Sequence, residues 1–180
     1  MNYANQLTIA RLVAVVPVMA ALYVQFPGNR TVATVLYAAA ILTDYLDGIL
    51  ARRSGKVTAF GKLMDSIADK ALIVSLFFAL VAEGSMPAWM AAIMVVREFA
   101  VTGLRMVALE GGEVIAANRW GKAKMVSQSL AVFILLLGYS SLGYWFMLLA
   151  TVLTLLSGWS YLKYTPRIIA ASAGQDRESP

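Results

Sequence analysis

The sequence predicts an all-α integral membrane protein with six transmembrane helices. Of its 180 residues, 60% are hydrophobic and only 14% are charged, which is too apolar a composition for a soluble domain. Six apolar segments follow one another, each long enough, at roughly 1.5 Å per residue, to cross a hydrocarbon core about 30 Å thick. They lack the alternating pattern of a membrane β-barrel, so the backbone groups in lipid must be satisfied within helices.

Turn residues and charges separate the six predicted helices, which we place near residues 7–25, 31–52, 61–82, 87–109, 123–141 and 143–163. Short turns at 27–29, 83–87 and 140–143 join them in pairs, because Gly, Pro and small polar residues there favour chain reversal. The connections on the opposite side are longer and more charged. We therefore expect one six-helix transmembrane domain, 1–165, followed by a polar, disordered C-terminal tail, 166–180.

Basic residues are unevenly distributed between the two sets of helix ends. The set with the short turns carries only Arg30, and the other set carries Arg11, Arg52, Arg53, Lys56, Lys62, Arg105, Arg119, Lys122, Lys124, Lys163, Arg167 and Arg177. Because Lys and Arg are enriched in cytoplasmic loops, both termini should be cytoplasmic. The net charge of +5 has the same explanation, together with attraction to anionic lipid, and no nucleic-acid binding is expected.

Aromatic residues occur near both sets of helix ends, as in the aromatic belts at the two membrane surfaces. They are Trp89, Tyr139, Tyr144 and Trp145 on the side of the short turns, and Trp120, Trp159, Tyr161 and Tyr164 on the other side. This interpretation requires no aromatic binding cage for a cofactor.

Four aspartates interrupt the apolar pattern of the second and third helices. Asp44 and Asp47 are three residues apart and Asp65 and Asp69 are four apart, so each pair shares one helix face. A carboxylate at the centre of a bilayer helix costs about 2.5–3.5 kcal/mol on insertion scales. The sequence has no Cys and no His, and a site built only of hard oxygen ligands suits Mg²⁺ or Mn²⁺.

Two other interpretations of the aspartates are open. They could form buried salt bridges with Arg52, Lys62 and Lys70, but such pairs rarely repay their desolvation, and four carboxylates on two facing helices would first repel one another. They could also line the path of a small cation transporter. A path requires polar residues toward the outer face, whereas residues 32–43 and 71–82 carry little charge.

Small residues and one arginine accompany the aspartates. Gly48 and Gly61 remove side chains where a ligand or a neighbouring backbone would approach, and Ala51 keeps the same helix face shallow. Arg52 offers a planar guanidinium group suited to phosphate oxygens. These neighbours favour a phosphate-containing ligand beside the carboxylates.

The run Asp44-x2-Asp47-Gly48-x2-Ala51-Arg52-x8-Gly61-x3-Asp65-x3-Asp69 resembles the signature of the CDP-alcohol phosphatidyltransferase family at every specified position. The six helices are also similar to the family's fold. The resemblance implies an enzyme that joins the phosphatidyl group of CDP-diacylglycerol to an alcohol and releases CMP. It further implies two divalent cations, one held by Asp44, Asp47 and Asp65 and the other by Asp44, Asp65 and Asp69, with Asp69 as the general base.

The amino-terminal segment adds to this resemblance. Asn5-Gln6-Leu7-Thr8-Ile9-Ala10-Arg11 is similar to the family's usual P-N-x-L-T-x-x-R, with Ala4 where proline is common. The resemblance implies that CDP-diacylglycerol is bound by Asn5, Thr8, Gly48, Ala51, Arg52, Thr58 and Gly61. Asn5 could equally serve to cap the first helix.

The acceptor alcohol is expected to bind near polar residues of the fourth and fifth helices. Glu98, Thr102 and Arg105 are spaced i, i+4 and i+7 and form one polar stripe, and a basic group follows at 119–124. These cations could neutralise a phosphate monoester. Alternatively, Arg97 and Glu98 form a buried pair and the remaining charges follow the positive-inside rule.

Within the family, Arg97-Glu98, Leu104-Arg105 and Gly121-Lys122-x-Lys124 resemble the bacterial phosphatidylglycerophosphate synthases, although Ser66 and Met125 depart from their usual pattern. The resemblance implies sn-glycerol 3-phosphate as acceptor, bound by Arg97, Glu98, Arg105, Arg119, Lys122 and Lys124. Inositol phosphate or serine are the alternative acceptors. It also implies a homodimer in the bacterial inner membrane, with its active site facing the cytoplasm.

Overall fold

The structure is a computed structural model that describes the backbone of residues 3–24, 26–54, 59–110 and 119–162, and the side chains of residues 12–24, 26–43, 68, 70–108, 119–159 and 161. These ranges contain no strand and form six helices: α1 (Tyr3–Tyr23), α2 (Asn29–Ser54), α3 (Ala59–Ala82), α4 (Ala88–Glu110), α5 (Arg119–Leu136) and α6 (Ser140–Leu162). The predicted all-helical class is confirmed. The predicted tail, 166–180, lies outside the described residues.

Glycines with positive φ form the three short turns, at Gly28, Gly84 and Gly138. At the third, the amide of Tyr139 donates to the carbonyl of Ile134 at 3.2 Å, which is the Schellman arrangement that ends many helices. Glycine adopts this left-handed conformation without a steric cost. The first two turns lie where they were predicted. The third lies at 137–139 instead of 140–143, because Gly138 ends α5 and Ser140 already belongs to α6.

The three turns lie at one end of the molecule, which we call the turn end, and the opposite end is the motif end. α1 packs against both α2 and α3, α5 packs along α6, and α4 contacts α3 and α6. Helices α2 and α3 each also contact α5. Among the described residues α2 and α3 do not pack directly on one another, so α1 and α5 link the two helices that carry the aspartates.

The hydrophobic core formed by the described side chains lies in the half of the molecule nearer the turn end, and all six helices contribute to it. Its largest members are Tyr37, Leu76, Phe77, Leu80, Met90, Met94, Leu135, Leu136 and Met147. On the outer surface, each of the six helices also exposes large hydrophobic side chains.

One helix of the described part, at Ser140–Trp159, is long and apolar enough to cross a membrane by length and composition. Leu12–Tyr23 and Lys70–Ala82 are shorter apolar stretches.

Candidate functional site

The structure describes the backbone at all four aspartates. Helix α2 is continuous through Asp44 and Asp47, and α3 is continuous through Asp65 and Asp69, so each pair does share one helix face. Their side chains lie outside the described part, as do those of Asn5, Thr8, Ala51 and Arg52. The structure describes only the backbone at Gly48 and Gly61, and Thr58 lies outside the described part altogether. Among the described side chains, no three Asp or Glu residues cluster as metal ligands would.

A cluster of polar side chains lies between the hydrophobic core and the motif end, where α4, α5 and α6 meet. We call it the inner polar cluster, and its members are Arg97, Glu98, Arg105, Lys124, Ser157 and Tyr161. Four of the six predicted acceptor residues are therefore brought together. The other two, Arg119 and Lys122, lie exposed in the first turn of α5.

An ion pair between α4 and α5 forms the centre of the inner polar cluster. Lys124 Nζ contacts Glu98 Oε1, and the two side chains are only 6% and 11% exposed. Arg97 Nη1 lies 3.8 Å from the same carboxylate oxygen. Burying a charge is very costly unless it is paired. The carboxylate of Glu98 therefore compensates the buried ammonium group of Lys124.

The two arginines of the cluster converge on one aromatic ring of α6. The guanidinium carbons of Arg97 and Arg105 lie 5.5 Å and 5.1 Å from the centroid of Tyr161, which is within cation–π range. Arg105 Nη2 also donates a hydrogen bond to the Tyr161 hydroxyl. Arg97 Nη2 donates to Ser157 Oγ at 2.8 Å, and Ser157 in turn donates to the carbonyl of Thr154 at 3.0 Å.

The inner polar cluster carries a surplus of positive charge. Arg97, Arg105 and Lys124 contribute three charges and Glu98 removes one, which leaves +2. The Nε atoms of Arg97 and Arg105 are buried and have no hydrogen-bond partner among the described residues. Buried N–H donors without an acceptor are rare in proteins. The site therefore has both the charge and the vacant donors that an anion would satisfy.

The inner polar cluster lies close to the helix that carries Asp65 and Asp69. Helix α3 packs against both α4 and α5, and Lys70 of α3 is close enough to Lys124 for their charges to interact. Lys70 directly follows Asp69 in the chain. An anion bound at the cluster would therefore be adjacent to the motif-bearing part of α3.

Comparison with known proteins supports the family that the aspartate motif indicates. The model of the family described as CDP-alcohol phosphatidyltransferase matches residues 1–156. The chain belongs to this family. The predicted family is thus confirmed, and its members are membrane-embedded and generally use divalent metal ions.

Several curated relatives of similar length align with most of the chain. A CDP-diacylglycerol–glycerol-3-phosphate 3-phosphatidyltransferase of Bacillus subtilis is 36% identical in an alignment 183 positions long that covers 89% of this chain and 93% of the relative. The protein of the same name in Rickettsia bellii is 32% identical over 170 residues, with 90% and 94% covered. A probable phosphatidylglycerophosphate synthase of Mycobacterium tuberculosis is 39% identical over 142 residues, with 77% and 68% covered.

The sequence did not indicate the partners that α6 supplies to this site. Tyr161 was predicted to belong to the aromatic belt, which is wrong: the residue is 3% exposed and its ring contacts both arginines, whereas Trp120 and Trp159 are 53% and 70% exposed. The missed signal is a polar repeat on the apolar helix α6. The repeat recurs every three or four residues, at Thr151, Thr154, Ser157 and Tyr161, and all four are buried.

Proposed function

We propose that this protein transfers the phosphatidyl group of CDP-diacylglycerol to sn-glycerol 3-phosphate, giving phosphatidylglycerophosphate and CMP. The observation that supports this acceptor is that the half-buried guanidinium groups of Arg97 and Arg105 converge in a cluster whose described members carry a surplus charge of +2. A phosphate monoester carries about −1.5 to −2 near neutral pH. Serine brings no such dianion, and the names of the relatives favour glycerol phosphate over inositol phosphate.

The reaction proposed at the motif is a substitution at phosphorus. A hydroxyl of the acceptor attacks the lipid-side phosphorus of CDP-diacylglycerol, the bond from that phosphorus to the bridging oxygen breaks, and CMP leaves with the bond electrons. The carboxylate of Asp69 takes the proton of the attacking hydroxyl. Asn5, Thr8, Gly48, Ala51, Arg52, Thr58 and Gly61 form the proposed site for CDP-diacylglycerol.

The four aspartates are suited to hold two divalent cations, Mg²⁺ or Mn²⁺. Two carboxylates follow one face of α2 and two follow one face of α3, and carboxylate oxygens are the ligands that these hard cations prefer. Bound cations supply positive charge to the pyrophosphate oxygens. Asp44, Asp47 and Asp65 are the proposed ligands of one cation, and Asp44, Asp65 and Asp69 those of the other.

The residues of the proposed acceptor site have two roles: some bind the phosphate of the acceptor, and others connect the helices that carry them. Arg97 and Arg105 present vacant Nε donors to the phosphate, and Arg119 and Lys122 add positive charge from the exposed start of α5. Glu98 and Lys124 already contact one another. Within the proposed acceptor site, this ion pair connects α4 to α5.

The proposed setting is a multi-pass protein of the bacterial inner membrane with six spanning helices. Exposed large hydrophobic side chains on every helix support it, because lipid is the environment in which such surfaces are stable. We propose that both termini and the active site face the cytoplasm, that residues 1–165 form one catalytic domain, and that the protein is a homodimer.

A cation transporter, the alternative from another class, is less consistent with the described core. A path from the motif to the opposite face would have to pass the turn-end half of the bundle. That half is filled by large apolar side chains, among them Leu76, Met90, Leu135 and Met147. The enzyme requires access only from the motif end.

The acceptor is tested by CMP release from CDP-diacylglycerol with purified protein and a panel of alcohols. We expect release with glycerol 3-phosphate, its loss after chelation of divalent cations, and its recovery with Mg²⁺ or Mn²⁺. Serine, glycerol and inositol phosphate should give little release. Release with inositol phosphate and none with glycerol 3-phosphate would contradict the proposed acceptor without contradicting the family.

The role of Asp69 as base is tested by Asp69→Asn. The substitution keeps the shape of the side chain but removes its basicity, so we expect turnover to fall below detection while CDP-diacylglycerol still binds. Equilibrium binding of the labelled nucleotide lipid, measured beside CMP release, separates the two effects. Near-normal turnover would exclude Asp69 as the base.

A further inference from the structure

Tyr161 occupies a special position in the inner polar cluster. It is buried near the end of α6, with 3% of the residue exposed, and two guanidinium groups contact its ring while one of them donates to its hydroxyl. The two arginines are eight residues apart on α4, a separation of about 12 Å along the helix axis. Their side chains must therefore bend toward one another to reach the same ring.

Bringing two half-buried cations to one place is unfavourable without compensation. Like charges repel, and each guanidinium group loses hydration. The negative face of an aromatic ring offsets part of this cost, and the hydroxyl oxygen of Tyr161 accepts one hydrogen bond from Arg105. The carboxylate of Glu98 lies 3.8 Å from Arg97, but it also pairs with Lys124.

Tyr161 therefore leaves other donors of the two arginines available. Its hydroxyl accepts a hydrogen bond from an Nη atom of Arg105, whereas the Nε atoms of both arginines have no hydrogen-bond partner in the part of the chain that the structure describes. A guanidinium group binds phosphate best through two parallel N–H groups in one plane. Because a side chain that is held in advance loses less rotamer entropy on binding, fixing both guanidinium groups would favour the bound state of the acceptor.

We propose that Tyr161 is a positioning residue that holds Arg97 and Arg105 in the orientation required to bind the phosphate of the acceptor. The proposal rests on the proposed function, since it assumes that these arginines bind a phosphate monoester. Tyr161 itself does not contact the reacting atoms. Its ring orients both guanidinium groups, and its hydroxyl fixes that of Arg105.

Tyr161→Phe and Tyr161→Leu test the two parts of this role separately. Tyr161→Phe removes only the hydroxyl, and losing a hydrogen bond to a charged group should raise the KM for glycerol 3-phosphate about tenfold. Tyr161→Leu also removes the ring, and the increase should reach about 100-fold. In both variants kcat and the KM for CDP-diacylglycerol should stay within about twofold of the wild-type values. Tyr144→Phe, at the turn end of the same helix, is the matched control and should change neither KM.

A double variant shows whether Tyr161 acts through Arg105. At low acceptor concentration, kcat/KM should fall with Tyr161→Phe in the wild-type background and should change less than twofold when Arg105 is already Ala, because coupled residues are not additive. Fully additive losses would overturn the proposal. If Tyr161→Leu lowers the melting temperature severely, Tyr161→Phe, which removes a single oxygen atom, still tests the proposal.

Failure of this proposal is distinguishable from failure of the proposed function. If wild-type protein releases CMP with glycerol 3-phosphate but Tyr161→Phe leaves its KM unchanged, or raises both KM values equally, only the role of Tyr161 is overturned. If wild-type protein shows no release with glycerol 3-phosphate, the proposed function fails first. In that case the same variants measured with the true acceptor decide whether Tyr161 positions the arginines.

Discussion

Two ion pairs connect different segments of the chain in opposite halves of the molecule. At the turn end, Arg30 Nη2 lies 3.1 Å from Glu83 Oε2, and the side chains are 40% and 34% exposed. In the inner polar cluster, Lys124 contacts Glu98 with side chains only 6% and 11% exposed. The chemical groups are similar, but the first pair shares its charges with solvent and the second does not.

The difference in burial decides what each pair does. An exposed pair gains little because water and salt already screen the charges. A buried pair is rarely a net source of stability, yet each partner makes the presence of the other tolerable. The inner pair is therefore better explained by what it permits, namely a surplus of cations close to the motif, than by the stability it adds.

Glu98→Ala should have the largest effect on stability among the substitutions that distinguish the buried pair from the exposed pair. It leaves Lys124 buried without a counter-charge and removes the nearest carboxylate from Arg97, which should cost about 3–5 kcal/mol. We expect a large fall in the melting temperature of the detergent-solubilised protein. Glu83→Ala is the matched control, since it removes the same group from the exposed pair. Equal melting temperatures for the two variants would contradict the comparison.

Replacing both inner partners should restore much of this loss. Glu98→Leu with Lys124→Met keeps the volumes and removes both buried charges, a change that is often neutral or stabilising. The melting temperature should return close to the wild-type value. The KM for glycerol 3-phosphate then tests the pair as a unit: an increase in this stable variant indicates that the charges of the pair also contribute to acceptor binding, and an unchanged KM limits the pair to supporting the helices.

The two halves of the molecule also differ in how far the sequence predicts them. The turns at Gly28 and Gly84 follow from glycine chemistry and were placed correctly. The third was misplaced by about three residues because Gly138, which ends α5, was passed over for Ser140 and Ser141. Helix number and class depend on apolar length alone, so this local error left them intact.

For the candidate site, the sequence predicted the charged residues but not their partners. Arg97, Glu98 and Lys124 were found because charges stand out in an apolar helix. That Glu98 contacts Lys124 depends on the register between α4 and α5, which the pattern within either helix does not contain. Tyr161 was misassigned because an aromatic residue near a helix end suits a membrane surface equally well, and only the buried neighbours Thr154 and Ser157 distinguish its face.

Gly143→Ala tests whether close packing, and not charge, holds the turn end. A Cβ atom at this position would lie 2.4 Å and 2.5 Å from side-chain atoms of Leu135, whose side chain is buried between α5 and α6. Overpacking of this kind costs about 1–3 kcal/mol, so the melting temperature should fall by an intermediate amount. Gly103→Ala is the matched control, because nothing lies within 4 Å of a Cβ at that helical position. A variant at Gly143 as stable as the control would show that α5 and α6 can separate without loss.

The smallest effect is expected at the exposed pair itself. Arg30→Ala and Glu83→Ala should each cost little, and a double-mutant cycle should give a coupling of about 0.2–1 kcal/mol. Arg30 also approaches Ser85 Oγ at 3.4 Å, so its single variant should be slightly the more destabilising of the two. Because the pair is exposed, the coupling should shrink further as salt is raised. A coupling of several kcal/mol that does not respond to salt would mean that the turn end depends on a desolvated charge pair, and burial would then no longer distinguish the two ends.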